Sequence, residues 1–378
     1  MKFAAYFFYL IIGLLPFLYR DIPMHGLTRL LLLILLAFIL RRLIKLGFVQ
    51  VKIILAVLAG SAVLQSLIGV WQFLKQGSVG LAKFGEPLLG SDIPGIAKIV
   101  VDGARIVRAY GTFSHPNIFA AFLLLGLCAL FYFWLNRPSE YKIFSGWKTL
   151  RSDLIIGLGI FSVVTGLALS FSRAGWLAAS IVSLLVIANG LITKQNFRQS
   201  VRLLILLSAM CAILLLTLSP YIFARATIDQ DEPAYALRAV YNRIGLEIIR
   251  EKPLGVGIGN QVFYAKEASL YQKYGLTEEW QFQPIHNIYL LVFAEMGIVG
   301  GALFLIFITL LIFGHSERSE ESQGSFAPLR MTAARAMLSL LLLLGLFDHF
   351  LWTTQQGQLM LWLTIGLVLG LNGAEKRS

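Results

Sequence analysis

The stretch 288–313, IYLLVFAEMGIVGGALFLIFITLLIF, is a long apolar run that decides the fold class. The hydrocarbon core of a bilayer is about 30 Å thick, and roughly 20 apolar residues in a helix cross it. Nine further runs of this character lie at 3–19, 27–40, 53–74, 118–135, 154–170, 174–192, 203–219, 336–351 and 357–373. We therefore predict an all-α integral membrane protein of about ten transmembrane helices.

The composition of the 378-residue chain excludes two broad classes of protein. Apolar residues make up 57% of the chain and charged residues 14%, whereas soluble domains contain about 45–50% and about 25%. The chain is therefore neither an ordinary soluble enzyme nor a disordered protein. Both cysteines, Cys128 and Cys211, lie in apolar runs, which excludes a disulfide framework and a cysteine-rich zinc site.

The net charge of +12 is explained by membrane topology, so we predict no nucleic-acid partner. Ten spans divide the loops into two sets, and one set is short and rich in Lys and Arg, as at 41–52 and 194–202. Cytoplasmic loops carry an excess of these residues. We therefore place this set and both termini in the cytoplasm. The first run is interpreted as an uncleaved span, because no A-x-A-like cleavage site follows it.

Two long loops, 75–117 and 220–287, then fall on the outer side of the membrane. Loops of this length are usually functional or disordered. The second has the apolar spacing of a helix from about 235 to 250, closed by Lys252-Pro253, which indicates that it is folded.

The chain divides into four parts on this topology. Residues 1–117 hold transmembrane helices 1–3 and the first outer loop. Residues 118–313 form a core that contains the outer loop 220–287, between helices 7 and 8. Residues 314–335 are a polar, Ser/Glu-rich cytoplasmic insert to which we assign no function, and residues 336–378 hold the C-terminal transmembrane helices.

Arg173 lies in the sequence SFSRAGW at 170–176, the tight outer link between spans five and six. An arginine in so short a link is held near the bilayer surface. It either anchors the protein to lipid phosphates or clamps a phosphate group of a lipid substrate, for which its planar fork is well suited. The residues alone leave both interpretations open.

The predicted helix of the long loop carries two further arginines. Arg243 has Glu247 four residues later, so a surface ion pair explains it, whereas Arg238 has no acidic residue at i+3 or i+4 and is freer to meet an anion. Gly257 and Gly259 follow in the sequence GVGIGN at 255–260. Their backbone N–H groups are candidates to bind a phosphate, although a sharp loop after a helix is the commoner explanation.

Histidines collect at the outer ends of the spans. His286, followed by Asn287, lies where the long loop joins span eight, and a neutral histidine there has the property that a general base requires. The alternative is an interfacial histidine bonded to a neighbouring carbonyl group. His115 precedes Pro116-Asn117, and this sequence is typical of a helix start.

An acidic pattern in the long loop raises the possibility of a metal site. Asp229 and Asp231 form a D-x-D pair, which some glycosyltransferases use to hold a divalent metal on a pyrophosphate. A short acidic patch in a loop is more often simply solvated. We predict no metal site and no cofactor.

The motifs occur in a characteristic order. GTFSHPN at 111–117 precedes a span, SRAG at 172–175 follows two spans later, and the large loop then carries Arg238, IIREKPLGVGIGN at 248–260, and HNIYL with EMGIVG at 286–300. This order resembles that of the O-antigen ligase and polymerase superfamily of bacterial membrane proteins. The resemblance covers roughly 110–305. One departure is that Asn242 stands where the family often has Trp, with Tyr241 beside it.

The resemblance implies an activity and a place in the cell. It implies a metal-independent glycosyltransferase of the bacterial inner membrane, with its active site on the periplasmic face. The donor is a glycan on undecaprenyl pyrophosphate, and the acceptor is lipid A-core, another glycan chain or a protein hydroxyl group. A ligase that acts on lipid A-core is favoured, with a polymerase or a protein O-oligosaccharyltransferase as alternatives.

The resemblance also assigns roles to residues. Arg173 and Arg238 match the arginines that hold the pyrophosphate, and His286 matches the histidine proposed to activate the acceptor hydroxyl group. The remaining candidates are assigned to substrate binding, and they are Arg243, His115, Asn117, Asn287, Gly257 and Gly259. A transporter or flippase for lipid-linked sugars is the alternative from another class, but it would place polar groups at mid-membrane.

Overall fold

The structure is a computed structural model that describes residues 26–136, 146–192, 194, 196–227, 233–314 and 327–372, together with Tyr6 and Tyr9. The first predicted span, 3–19, lies outside the described residues apart from these two tyrosines. Asp229, Asp231 and most of the insert 314–335 also lie outside them.

The described part of the chain is mostly helical. Its α-helices are α1 (Gly26–Lys45), α2 (Val51–Lys75), α3 (Pro116–Leu135), α4 (Gly146–Leu169), α5 (Arg173–Ile192), α6 (Phe197–Ala226), α7 (Pro233–Glu251), α8 (Gln261–Glu267), α9 (Leu270–Lys273), α10 (Ile288–Phe313), α11 (Ala327–Leu344), α12 (Phe350–Thr353) and α13 (Gln355–Leu371). Short 3₁₀ helices lie at Ala82–Phe84 and Glu279–Gln281. The predicted helix at 235–250 is confirmed by α7.

Six helices in the described residues are long and apolar enough to cross a membrane, and they are α2 to α6 and α10. This supports a multi-pass membrane protein. The helices α1 and α13 coincide with two more of the predicted runs, and α11 overlaps only part of a third.

The ninth predicted span, 336–351, differs from the structure. Helix α11 ends at Leu344, and the chain then leaves the helix as far as α12. The carbonyl group of Gly345 accepts a hydrogen bond from the N–H of Ile288 at 2.8 Å. A Cβ atom at Gly345 would lie 2.4 Å from the Ile288 side chain, so a larger residue would require Ile288 to move. The break places Asp348 and His349 in a non-helical link instead of a span.

Helix α3 is the centre of the bundle. In its most apolar 18-residue stretch, 89% of the residues are buried inside the protein. The corresponding share is 17% for α6 and 22% for α10. Helix α3 packs against α2, α4, α5 and α11, while α1 packs along α13. Helices that remain apolar without being buried by protein are those expected to face lipid.

The first long loop contains structure that we did not predict. Strands β1 (Lys98–Val101) and β2 (Ala104–Val107) form an antiparallel hairpin. Its turn, Asp102-Gly103, has φ angles of 48° and 80°, and a two-residue turn with positive φ at both positions matches the twist of the strands. Over the described residues the fold is therefore an α-helical bundle that carries one small hairpin.

Two buried glutamines of α2 hold the end of this loop. Oε1 of Gln72 accepts from the N–H of Gly111 at 2.8 Å, and its Nε2 donates to the Gly111 carbonyl at 2.8 Å. Oε1 of Gln65 accepts from the N–H of Thr112 at 2.9 Å. Both glutamine side chains are fully buried. The bonds satisfy backbone groups inside the bundle and fix the point at which α3 begins.

The glycine-rich segment after α7 is held against a break in α10. Gly297 has φ 74° and ψ 179°, so the helix is interrupted there. The freed carbonyl groups of Ala294 and Glu295 accept from the N–H groups of Val256 and Gly257 at 3.0 and 2.9 Å. These bonds join the long loop to α10.

We expect the substitution Gly297→Ala to destabilise the protein by about 1–3 kcal/mol, because a side chain there is strained at positive φ. The new Cβ would also lie 2.5 Å from the carbonyl carbon of Leu254. Thermal unfolding in detergent measures the effect. Gly60→Ala in α2 is the matched control, since a Cβ at Gly60 meets nothing within 4 Å. Equal melting temperatures for the two variants would contradict the prediction.

Candidate functional site

The candidate site is a cavity at the end of the bundle where α3 and α5 begin and α4, α6 and α11 end. Its lining residues are Asn117, Ser172, Arg173, Ala174, Arg225, Arg238, Leu344, Phe347, Asp348 and Phe350. The structure thus brings Arg173 and Arg238 into one cavity, although they lie on different elements. His286 lies next to it, beside Asp348.

Arg173 is the first residue of α5 and is tied to the end of α6. Its Nε donates to the Arg225 carbonyl at 2.8 Å, and its Nη2 donates to the Thr227 carbonyl at 2.9 Å. These bonds fix the plane of the guanidinium group while it lines the cavity. Two donors of the guanidinium group thus hold it at the cavity wall, where its permanent positive charge favours an anion.

The link between α4 and α5 is shaped by a second arginine. Phe171 in this link is fully buried and has φ 47°, an uncommon conformation for a residue other than glycine. Nε of Arg225 donates to the Phe171 carbonyl at 3.0 Å. Arg225 therefore supports the link that carries Arg173 while it also lines the cavity.

Arg238 reaches the cavity from α7, in the long loop. Its side chain is partly buried, and among the described residues it has no hydrogen-bond or ion-pair partner. Its donors are therefore available to a ligand. Arg243, one and a half turns later, is exposed and is not part of the cavity lining. The predicted partner of Arg243, Glu247, instead binds Nζ of Lys273 at 2.5 Å and the Tyr274 hydroxyl group at 2.8 Å.

His286 is held so that one ring nitrogen is available. Its ring stacks on Tyr241, with centroids 5.1 Å apart and an interplanar angle of 15°. Its Nδ1 lies 2.8 Å from the Pro284 carbonyl group. A carbonyl group only accepts, so Nδ1 carries the proton and the lone pair of neutral His286 is on Nε2.

The surroundings of His286 keep it neutral. Burial lowers its pKa below the ordinary value of 6.5, and Arg238 acts in the same direction. The charge of Asp348 and the bond to Pro284 oppose this shift without cancelling it. His286 is therefore an unprotonated imidazole at neutral pH, as a general base must be.

Asp348 is the buried carboxylate of the site. Burial raises its pKa, but His349, His286, His115 and a hydrogen bond from Asn117 together outweigh burial, so the pKa lies below its usual range. Nδ2 of Asn117 donates to Oδ2 of Asp348 at 2.7 Å, and the N–H of His349 donates to Oδ1 at 2.8 Å. Asp348 thus places one negative charge beside His286.

His349 packs edge-on against His286, with ring centroids 4.6 Å apart. The hydroxyl group of Thr353 donates to the His349 carbonyl, so its oxygen accepts from Nδ1 of His349 at 2.6 Å. Burial lowers the pKa of His349 to about 4. Its Nε2 therefore also carries a lone pair at neutral pH.

Two of the predicted substrate-binding residues, His115 and Asn287, cap the starts of helices. Nδ1 of His115 accepts from the N–H of Asn117 at 3.1 Å and caps α3. Burial and nearby Arg108 lower the pKa of His115 to about 3. Oδ1 of Asn287 accepts from the N–H groups of Tyr289 and Leu290 at 2.9 and 3.2 Å and caps α10.

The two predicted phosphate-binding glycines are placed elsewhere. The N–H of Gly257 donates to the backbone carbonyl of Glu295 at 2.9 Å, and Gly259 donates to the Glu295 side chain. Neither glycine lines the cavity with Arg173 and Arg238. Their N–H groups hold the long loop on α10, so we leave both residues out of the proposed site.

His286, Asp348 and His349 form the one group in the described residues that has the spacing of metal ligands. One ligand atom from each lies within 4.8 Å of the other two. The two Nε2 atoms and the carboxylate are suitable donors for a first-row divalent metal. However, three arginines line the adjacent cavity and oppose a further positive charge. The arrangement is better suited to an anion next to a neutral base.

Comparison with known proteins agrees with the motifs. Residues 157–305 match a family model described as O-antigen ligase. This match confirms the predicted resemblance over that range, where the chain is similar to enzymes of the O-antigen ligase or polymerase type. Arg173, Arg238 and His286 lie inside the matched range, whereas Asn117 and Asp348 lie outside it. No curated protein matches the chain.

Proposed function

We propose that the protein is a glycosyltransferase of the periplasmic face, which transfers a glycan from undecaprenyl pyrophosphate to a hydroxyl acceptor. The observation that carries this proposal is the placement of Arg173 and Arg238 in one cavity, with His286 beside it. The family match supports the same class of enzyme. Lipid A-core is the favoured acceptor, and a growing glycan chain or a protein hydroxyl group is the alternative.

The arginines bind the pyrophosphate of the donor. Arg173, Arg225 and Arg238 each present a guanidinium group to the cavity, and Asp348 is the acidic residue among its lining residues. In a partly dehydrated site, such fixed charges stabilise the negative charge that develops on the leaving group. Since the site lies at the end of the bundle, the prenyl chain can remain in the bilayer.

His286 activates the acceptor. Its Nε2 takes the proton from the acceptor hydroxyl group as the new C–O bond forms at the anomeric carbon of the donor. The bond from that carbon to the phosphate oxygen breaks, and undecaprenyl pyrophosphate leaves with the electron pair. Asp348 stabilises the imidazolium that results, as an acidic neighbour does for a histidine base. A single displacement of this kind inverts the anomeric centre.

The conditions at the periplasmic face of the inner membrane favour a lipid pyrophosphate donor. A catalyst there has no ATP or nucleotide sugar, so the donor must carry its own leaving group across the membrane. A lipid pyrophosphate does so and stays in the bilayer. A ligase, a polymerase and a protein oligosaccharyltransferase all need a donor of this kind.

The test is the surface glycan pattern of a strain that lacks the gene, complemented with wild-type protein or with active-site variants at matched protein levels. Loss of the glycan ladder from lipid A-core, with lipid-linked polymer accumulating, identifies a ligase. Collapse of the ladder to single repeat units on the same core identifies a polymerase. If the gene's absence leaves every surface glycan unchanged, the proposal fails.

Transfer should be unaffected by metal chelation, because the proposed chemistry uses only arginines and a neutral histidine. Purified protein in detergent should transfer glycan at the same rate in excess EDTA as in buffer, since a chelator in excess removes bound divalent metals. Loss of activity in EDTA, restored by Mg²⁺ or Mn²⁺, would favour a metal-dependent enzyme. Asp229 and Asp231 would then be the candidate ligands.

A further inference from the structure

A buried arginine outside the family-matched range is connected to both halves of the site. Arg108 follows β2, and only 6% of its surface is exposed. Burial and nearby Arg225 lower its pKa to about 9, so the guanidinium group remains charged at neutral pH. A buried charge is costly unless it is bonded, so its partners indicate what it does.

Arg108 has partners on both sides of the cavity. Its Nε donates to the Ser170 carbonyl at 2.7 Å, in the link that carries Arg173. Its Nη2 donates to Oδ1 of Asn117 at 3.1 Å. One guanidinium group therefore joins the link before the cavity arginine to the first turn of α3.

The bond to Arg108 decides which way the Asn117 amide points. A guanidinium group only donates, so the amide oxygen of Asn117 must face Arg108 and the amide nitrogen must face the other way. That nitrogen donates to Oδ2 of Asp348 at 2.7 Å. If the amide turned over, its oxygen would face the carboxylate and repel it. Arg108 thus fixes the donor that Asp348 requires.

We propose that Arg108 is a positioning residue, which acts through Asn117 to hold the Asp348 carboxylate against His286. Asn117 on this view orients the base and does not bind substrate. The inference rests on the proposed function for its effect on rate, but its effect on His286 can be measured without substrate.

The decisive variants conserve charge. Arg108→Lys keeps the positive charge but cannot form the two-sided bridge, and Asn117→Leu removes the amide while keeping a side chain of similar shape. Arg105→Lys is the matched control, because Arg105 is exposed on the same hairpin. Asp348→Asn gives the full effect of losing the carboxylate.

The first readout is the pKa of His286. It is measured by ¹⁵N NMR on histidine-labelled protein in detergent, and the His286 signal is assigned by its loss in His286→Gln. The groups that face His286 are Asp348, His349, Arg238 and Tyr241. Asp348 raises the pKa of His286. We therefore expect a lower pKa in Asp348→Asn, and a smaller shift in the same direction in Arg108→Lys and Asn117→Leu. The Arg105→Lys protein should titrate like wild type.

The second readout is the transfer rate. Misplacing a catalytic group by about 1 Å costs up to about 100-fold, so we expect kcat to fall about 10- to 100-fold in Arg108→Lys and in Asn117→Leu. The double variant should be no slower than either single variant, because both act on one bond path.

Titration curves of Arg108→Lys and Asn117→Leu that coincide with wild type would overturn the inference, as would losses that multiply in the double variant. If Arg108→Lys does not fold, Asn117→Leu alone decides between these outcomes. Absence of transfer by the wild-type protein would refute the proposed function, while the histidine titration would still decide the role of Arg108.

Discussion

Replacement of His286 by alanine should lower kcat for glycan transfer by about 100- to 10,000-fold, the usual contribution of a general base. The substitution removes the Nε2 lone pair that, in the proposed mechanism, takes the acceptor proton, and it leaves the arginines of the cavity in place. Binding of the lipid pyrophosphate donor should therefore change little. Single-turnover kinetics in detergent, with a labelled lipid-linked glycan, separate the two effects.

The same prediction has a pH dependence. The base is active only when unprotonated, so activity is lost as the pH falls through the pKa of His286. Burial lowers this pKa below its ordinary value of 6.5, so the acidic limb of kcat should lie below pH 6.5. The control for His286→Ala is Gln283→Ala, which changes an exposed residue of the same loop. Full transfer activity in His286→Ala would remove the base from the mechanism.

Replacement of Arg238 by alanine should lower kcat/KM by about 100- to 1,000-fold, the cost of losing one donor that stabilises transition-state charge. Arg238 lines the cavity, and the described residues provide it with no hydrogen-bond partner that would compete with the ligand. Arg238→Lys should recover only part of the activity, because an ammonium group cannot bind two oxygens as a guanidinium fork does. The measurement is transfer by purified protein across a range of donor concentrations.

Two neighbouring arginines of α7 sharpen this experiment. Arg243 and Arg250 are both exposed. Arg250→Ala is the matched control for loss of charge on this helix. Arg243→Ala decides the helix register, because the cavity contains Arg238 and not Arg243. A larger loss in Arg243→Ala than in Arg238→Ala would contradict the site as we describe it, and wild-type behaviour of both Arg238→Ala and His286→Ala would favour a transporter.

Much of the architecture follows from simple patterns. Apolar length predicts the spans, and the alternation of loops places 111–117, Arg173, the long loop and His286 at one end of the bundle. Helical spacing predicts α7, but the ion pair predicted between Arg243 and Glu247 does not form, because Glu247 binds Lys273 and Tyr274. These inferences depend on local sequence and on one global rule, which is why they can be made without a structure.

The contacts that complete the site join residues far apart in the sequence, and local patterns do not predict them. Asp348 lies at the end of an apolar run, which we assigned to a span, and only the packing of Gly345 against Ile288 shows that the helix has already ended. The bond from Asn117 to Asp348 joins residues 231 positions apart. A local signal was present in the sequence FDH at 347–349, an acidic residue beside a histidine at the end of a span. The hairpin signal Asp102-Gly103 was also present, but the link from Arg108 to Asn117 is purely tertiary.

The division of the site between two parts of the chain has a practical consequence for protein engineering. Residues 157–305 would carry Arg173, Arg238 and His286 into a chimera, but the amide of Asn117 and the carboxylate of Asp348 would come from the recipient chain. In the proposed mechanism, exchange of this region alone therefore combines the donor-binding arginines and His286 of one protein with the residues of another protein at positions 117 and 348. Chimeras meant to alter acceptor choice should keep the first turn of α3 and the link after α11 from the same parent as His286.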